Sequence, residues 1–296
     1  MSKVIYGAVD IGSNAVRAMA GYVKEKDGQL KVKKKMRKRA PLRIGAEIIR
    51  NGNLSESSLN RLSEVLKAYK KEFREVGVKD LRVCGTESLR LASNADQIID
   101  RIKGEAGLTV QVLSGQEEAE VVFSHRIEPL AQREDVLYAD VGGGSTDLVY
   151  QNKGGDRILT SISIGTHRIL AGKDTEESWN DLEGFLNEAF HEGGVTYFYG
   201  SGGNIRKLRK MSGKKAAEPL SLEELQNFHS EMAPLSPEER MAKLGLKADR
   251  SDVIVPAIDI FLFIMKVVQQ DKVYAPKTTL NEGLILEQHF NNEPEG

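Results

Sequence analysis

One turn occurs twice in this chain. Val9-Asp10-Ile11-Gly12-Ser13-Asn14 closes the apolar run 4–9, and Asp140-Val141-Gly142-Gly143-Gly144-Ser145-Thr146-Asp147 follows the run 136–139, so the aspartates at positions 10 and 140 stand 130 residues apart. Each copy is a short strand-like run ending in Asp, then a Gly/Ser turn, then a second apolar segment (15–22 and 148–150). Glycine opens backbone conformations closed to other residues and lets main-chain N–H groups approach a ligand. Successive N–H groups in such a turn form a concave anion site, and the aspartate beside it can hold a hard cation or a water. Two copies constrain the chain toward two half-domains, with phosphate loops expected to face each other across a cleft.

A length of 296 residues suits two domains. With 40% hydrophobic and 29% charged residues, the chain can bury a substantial core. A net charge of −1 argues against a general nucleic-acid binder. The single cysteine, Cys84, excludes an internal disulfide and suits a reducing compartment. In the apolar run 81–84 it reads as a small core residue. The N-terminus enters a strand without the apolar region of a signal peptide. The most apolar stretch, 253–268, carries Asp259 and Lys266 and reads as a buried helix rather than a membrane span. The expectation is a cytoplasmic, soluble protein with neither a membrane nor a nucleic acid as partner.

Segments 4–9, 16–23 and 29–39 read as a β-meander, followed by a helix over 55–76 with Ser55 as N-cap. Strands are expected at 81–85 and 110–114, with a polar helix near 94–105 between them and another helix after Ser114-Gly115. From 136 the opening repeats: strand, glycine turn, strand 147–151, strand 158–164. Helices are then expected over 176–190, 204–211, 221–231, 237–243, 252–269 and 282–290, with strands at 195–199 and 272–275. Ser221 with Glu224, and Ser236-Pro237 with Glu239, make capping boxes. The pattern is α/β, in two mixed domains that each hold a central sheet.

Ser114-Gly115-Gln116-Glu117-Glu118-Ala119 separates two neighbouring acids. Ser114 and Glu117 form a capping box, which gives Glu117 a structural task. Glu118 lies about 100° further round the helix. It is either a general base for a water or a solvated helix carboxylate. Arg90, in Gly85-Thr86-Glu87-Ser88-Leu89-Arg90, is either a planar fork for a phosphate or an exposed surface residue. Gly200-Ser201-Gly202-Gly203-Asn204 is a third glycine-rich strand-to-helix turn, opening a helix with Arg206, Lys207 and Arg209 that suits a polyphosphate. Seven of the nine residues 31–39 are basic. They are either a charge-protected edge strand or a track for a long polyanion. The five histidines show no metal spacing.

Together these stretches resemble the Ppx/GppA phosphatase family, within the actin-like (ASKHA, ribonuclease H-like) superfold. Ile164-Gly165 with Arg168, Arg250-Ser251-Asp252-Val253-Ile254 and Glu282-Gly283 also match in order. The resemblance implies two actin-like domains around an interdomain cleft, 1–124 with about 283–296 and 125–282. It implies a Mg²⁺-dependent exopolyphosphatase, or alternatively a guanosine pentaphosphate 5′-phosphatase or a weakly active nucleotide-binding sensor. A homodimer is among the assemblies expected. Glu118 would be the catalytic base, with Asp140 and Arg90 completing the catalytic set. Asp10, Asp140 and Glu118 would be the metal ligands. Phosphate would bind at Gly12, Ser13, Asn14, Gly142, Gly143, Gly144, Ser145, Thr146 and Gly202. The chain departs from the family pattern at Asp147, usually Glu, at Asn281, usually Arg, at Asn204, commonly Thr, and at His125, often Gly.

Overall fold

A computed structural model describes residues 3–26, 29–124, 134–191, 194–277 and 279–292; His125 lies outside them. The chain divides into two compact units, Met1–His125 with Thr279–Gly296, and Arg126–Thr278.

The first unit opens with β1 (Tyr6–Ile11), β2 (Val16–Lys26) and β3 (Gln29–Ala40), followed by α1 (Ile44–Asn51) and α2 (Glu56–Glu75). Then come β4 (Asp80–Gly85), α3 (Glu87–Leu91), α4 (Ala95–Ala106), β5 (Val110–Val112) and α5 (Gly115–Ser124). The sheet order is β3-β2-β1-β4-β5. The meander pairs antiparallel, while β4 and β5 run parallel to β1. Every residue of β1 is buried, as a central strand covered on both faces requires. On one face Leu59, Leu62, Leu66 and Phe73 of α2 pack against Val9, Ile11, Val16 and Ala18. Each such side chain contributes about 1.5–3 kcal/mol through its burial. Ser55 starts α2 by accepting the Ser58 N–H at 3.3 Å.

The second unit repeats this order with β6 (Val136–Val141), β7 (Thr146–Gln151), β8 (Arg157–Ile162), α6 (Thr166–Leu170), α7 (Glu176–His191), β9 (Tyr197–Ser201) and α8 (Gly203–Met211). The sheet order is β8-β7-β6-β9, antiparallel through the meander and parallel between β6 and β9. Both units therefore carry the ribonuclease H-like arrangement, an actin-like α/β fold. There follow β10 (Leu220–Ser221), α9 (Leu222–Met232), α10 (Pro237–Leu244), α11 (Ala248–Ser251), α12 (Ile254–Val267) and β11 (Lys272–Val273). Helix α12, apolar nearly all round, buries Ile254, Ile258, Ile260, Phe261 and Ile264 in the core of this unit. Both expected capping boxes are formed. The last helix, α13 (Leu280–Asn292), packs on β1, β2 and α5 of the first unit. Its Gln288 donates to the Gly7 carbonyl at 3.0 Å, and its Glu287 meets Arg82 at 2.5 Å. Among the described residues no helix is long and apolar enough to cross a membrane.

Candidate functional site: two glycine turns and a helix-borne carboxylate

The first turn is built from β1, β2 and the start of α1. The Ser13 carbonyl accepts the Gly45 N–H at 2.8 Å, and the Asn14 carbonyl accepts the Arg43 N–H at 3.2 Å. In a trans peptide the C=O and the next N–H point in opposite directions. The Asn14 and Ala15 N–H groups are thereby turned away from α1. A Cβ on Gly45 would lie 2.3 Å from Ser13 Cβ, so this approach requires glycine. Ser13 itself is buried. Asp10, also buried, stands directly across the ladder from Arg17. Arg17 Nη1 donates to Asp10 Oδ2 at 2.7 Å. One oxygen of the expected metal ligand is thus taken by an arginine.

The second turn uses the same device more fully. The Gly142 carbonyl accepts the Thr166 N–H at 3.1 Å, Gly143 accepts His167 N–H at 2.6 Å, and Gly144 accepts Arg168 Nε at 2.7 Å. Three successive carbonyls face α6, so the N–H groups of Gly143, Gly144 and Ser145 face the other way, as an anion nest requires. A Cβ on Gly165 would fall 2.5 Å from the Gly143 and Gly144 backbone. Thr146, expected among the phosphate-binding residues, is fully buried, and its hydroxyl donates to the Ile164 carbonyl at 2.8 Å, anchoring the turn.

Asp140 stands directly across the ladder from Asp147. Ser201 Oγ donates to Asp140 Oδ2 at 3.1 Å, and Ser161 Oγ donates to Asp147 Oδ1 at 2.5 Å. Gly202 has φ +104°, and a Cβ there would lie 2.8 Å from the Val141 carbonyl and 3.4 Å from Asp140 Oδ1. Its observed role is this close passage beside Asp140. Asn204 is held from two sides, accepting from Arg250 Nη1 at 3.2 Å and donating to the Val253 carbonyl at 3.3 Å. Arg209, read from sequence as part of a phosphate-facing helix, is instead fully buried and donates to the Ala275 carbonyl. Burial pushes its pKa down.

At the start of α5 both halves of the capping box form. Ser114 N–H donates to Glu117 Oε2 at 2.7 Å, and Glu117 N–H donates to Ser114 Oγ at 3.1 Å. The bonds from Ser114 hold the Glu117 carboxyl below the usual carboxylate range. Glu118 turns elsewhere. Its Oε2 lies 3.8 Å from Arg90 Nη1, with the two side chains only 18% and 24% exposed. Arg90 also donates to the Leu113 carbonyl. It joins α3 to the lead-in of α5 and is not the exposed surface residue that one alternative held. Asn281 is buried, its Oδ1 without a hydrogen-bond partner among the described residues. Glu282 pairs with Lys34 at 2.6 Å. Cys84 is buried beneath this region, and burial pushes its thiol up to about 12.

Among the described residues no three His, Cys, Asp or Glu side chains gather as a metal cage. The two aspartates with serine hydroxyls of the second unit are hard oxygen donors. Mg²⁺ typically takes one or two carboxylates plus waters and substrate phosphates, which that donor set suits.

Neither α1 nor α6, the helices that orient both turns, follows from the sequence reading. For α1 a signal exists in Ile44, Ile48 and Ile49 at helical spacing before Gly52. For α6, five residues are too short to show a period.

The model of the Ppx/GppA phosphatase family matches residues 22–291. Two curated relatives are each named guanosine-5′-triphosphate,3′-diphosphate pyrophosphatase. The one from Vibrio parahaemolyticus is 23% identical over 97% of this chain and 59% of its own length. The one from Aeromonas salmonicida is 23% identical over 97% of this chain and 60% of its own length. The chain thus spans about three fifths of the curated relatives it matches. Among solved structures, the Aquifex aeolicus Ppx/GppA family member is 26% identical, covering 99% of this chain and 100% of its own, with a TM-score of 0.76. An exopolyphosphatase from Cytophaga hutchinsonii shares the fold at 22% identity, covering 98% of this chain and 99% of its own, with a TM-score of 0.81.

Proposed function

Because the chain belongs to the Ppx/GppA phosphatase family, we propose that it is a Mg²⁺-dependent exopolyphosphatase, hydrolysing the terminal phosphoanhydride of inorganic polyphosphate with Glu118 as general base. The observation that carries this is the division of labour at α5. Glu117 is consumed by the helix cap, while Glu118 stands beside Arg90.

In this mechanism the Glu118 carboxylate accepts a proton from the attacking water, and Arg90 offsets the charge that develops on the phosphoryl group. The N–H groups of Asn14 and Ala15, and of Gly143, Gly144 and Ser145, hold phosphate oxygens. Asp140, with Asp147 beside it, would hold Mg²⁺, which neutralises phosphate charge when bound. Asp10 is left to fix Arg17. Phosphate release with Mg²⁺, assayed side by side on long-chain polyphosphate and guanosine pentaphosphate, tests the substrate. Faster turnover of polyphosphate is expected; no phosphate release from it overturns the assignment.

A second substrate has a specific observation behind it. Both curated relatives carry a guanosine pentaphosphate activity in their names. The same nests and the same base would serve a 5′-terminal phosphate of that nucleotide, and turnover of the nucleotide alone would select this second substrate.

A further inference from the structure

The basic run is the edge strand of the first unit's sheet, and the hairpin it forms with β2 breaks a rule of strand pairing. Like charges directly opposite each other are destabilising. Yet Lys24 stands opposite Lys31. Two residues along the same face Lys33 stands opposite Tyr22. The Lys3 and Lys35 ammonium groups approach the same Tyr22 ring, 4.4 and 5.8 Å from its centroid. Two cations approach one aromatic ring where a carboxylate would serve each better. Within the run, Lys34 is paired with Glu282 and Lys38 with Glu72. Lys24, Lys31, Lys33 and Lys35 are exposed and carry no ion pair among the described residues. The nearby Glu25 lies opposite Leu30, at a position that alternates to the other face of the ladder. Lys31 and Lys35 are four residues apart on β3, roughly 13 Å at 3.3 Å per residue.

We infer that the exposed hairpin end of the β2–β3 edge, at Lys24, Lys31, Lys33 and Lys35, is a binding ribbon for the body of a long polyphosphate chain. Charge complementarity selects the occupant: a linear polyanion with closely spaced charges neutralises consecutive lysines of one strand and relieves their mutual repulsion. The ribbon rests on the polyphosphate assignment above and adds a preference for length. A chain of three phosphates reaches the turn but not Lys24 and Lys31.

The test is binding of fluorescent long-chain polyphosphate in EDTA, where no hydrolysis occurs, across a salt series. The K24Q/K31Q/K33Q/K35Q variant is compared with a charge-matched control, K103Q/K243Q/K247Q/K272Q. The ribbon variant should bind at least about tenfold more weakly. The slope of its log affinity against log salt should fall by about 3, at roughly 0.7 per lost contact as for single-stranded phosphate backbones. Its turnover of tripolyphosphate should stay unchanged. Unaltered affinity, or an equal loss in the control, overturns the ribbon. Single-stranded RNA of equal phosphate number competing as well as polyphosphate overturns the occupant. Failure of the unmodified protein to release phosphate from any polyphosphate defeats the proposed function instead, and the binding arm still decides the ribbon.

Discussion

Seven residues after its aspartate, each glycine turn sets a side chain directly across the antiparallel ladder, and the two units fill that place with opposite charges. In the first, Asp10 meets Arg17 at 2.7 Å. In the second, Asp140 meets Asp147, with Ser161 and Ser201 donating to the two carboxylates. The backbone device is otherwise the same, since a short helix ties back the turn carbonyls and so turns the following N–H groups outward. The repeat therefore duplicated a scaffold while the chemistry diverged. The first turn balances its aspartate with an arginine. The second sets two carboxylates side by side, a cross-strand pairing of like charges, each accepting from a serine hydroxyl.

The largest expected effect lies on neither turn. Glu118→Gln should lower phosphate release about 10²–10⁴-fold, the usual contribution of general base catalysis, with binding of substrate retained. Glu117→Gln should keep turnover, because that carboxylate caps the helix. Equal losses in the two variants would break the separation of roles.

The comparison sharpens at Asp10. Asp10→Asn removes the ion pair between Asp10 and the half-buried Arg17 and should lower stability by about 1–3 kcal/mol, measured by urea unfolding. A loss below about 0.3 kcal/mol would contradict a charge-balanced first turn. The smallest effect is at the cap itself. Because the folded pKa of Glu117 is depressed, its stabilising charge is present above the unfolded value near 4.3 and is lost as pH falls through the folded one. Glu117→Gln should therefore cost about 0.5 kcal/mol at pH 7, and the gap should narrow as pH falls through the folded pKa. A gap that stays constant or widens on acidification would contradict the cap assignment.

Much of the scaffold was legible because its signals are local. The strand before each Asp, the α2 stripe, and the Ser114, Ser221 and Ser236 caps each depend on residues within a few positions. The capping task of Glu117 at α5 follows from helix geometry alone. What stayed hidden depends on contacts remote in sequence. The bond that Thr146 gives to the Ile164 carbonyl has no signal within the turn itself. Arg209 looks like a phosphate-facing charge until the Ala275 carbonyl receives it inside the core. The charge inversion between Arg17 and Asp147 is visible only once the register of both ladders is known.

The most direct measurement of that inversion is a Mn²⁺ titration followed by electron paramagnetic resonance, with Mn²⁺ standing for Mg²⁺. It would use the unmodified protein, Asp140→Asn and Asp10→Asn, without substrate. The account predicts that Asp140→Asn weakens binding at least about tenfold, while Asp10→Asn binds as the unmodified protein does. Weakening by Asp10→Asn that equals or exceeds that of Asp140→Asn would contradict it.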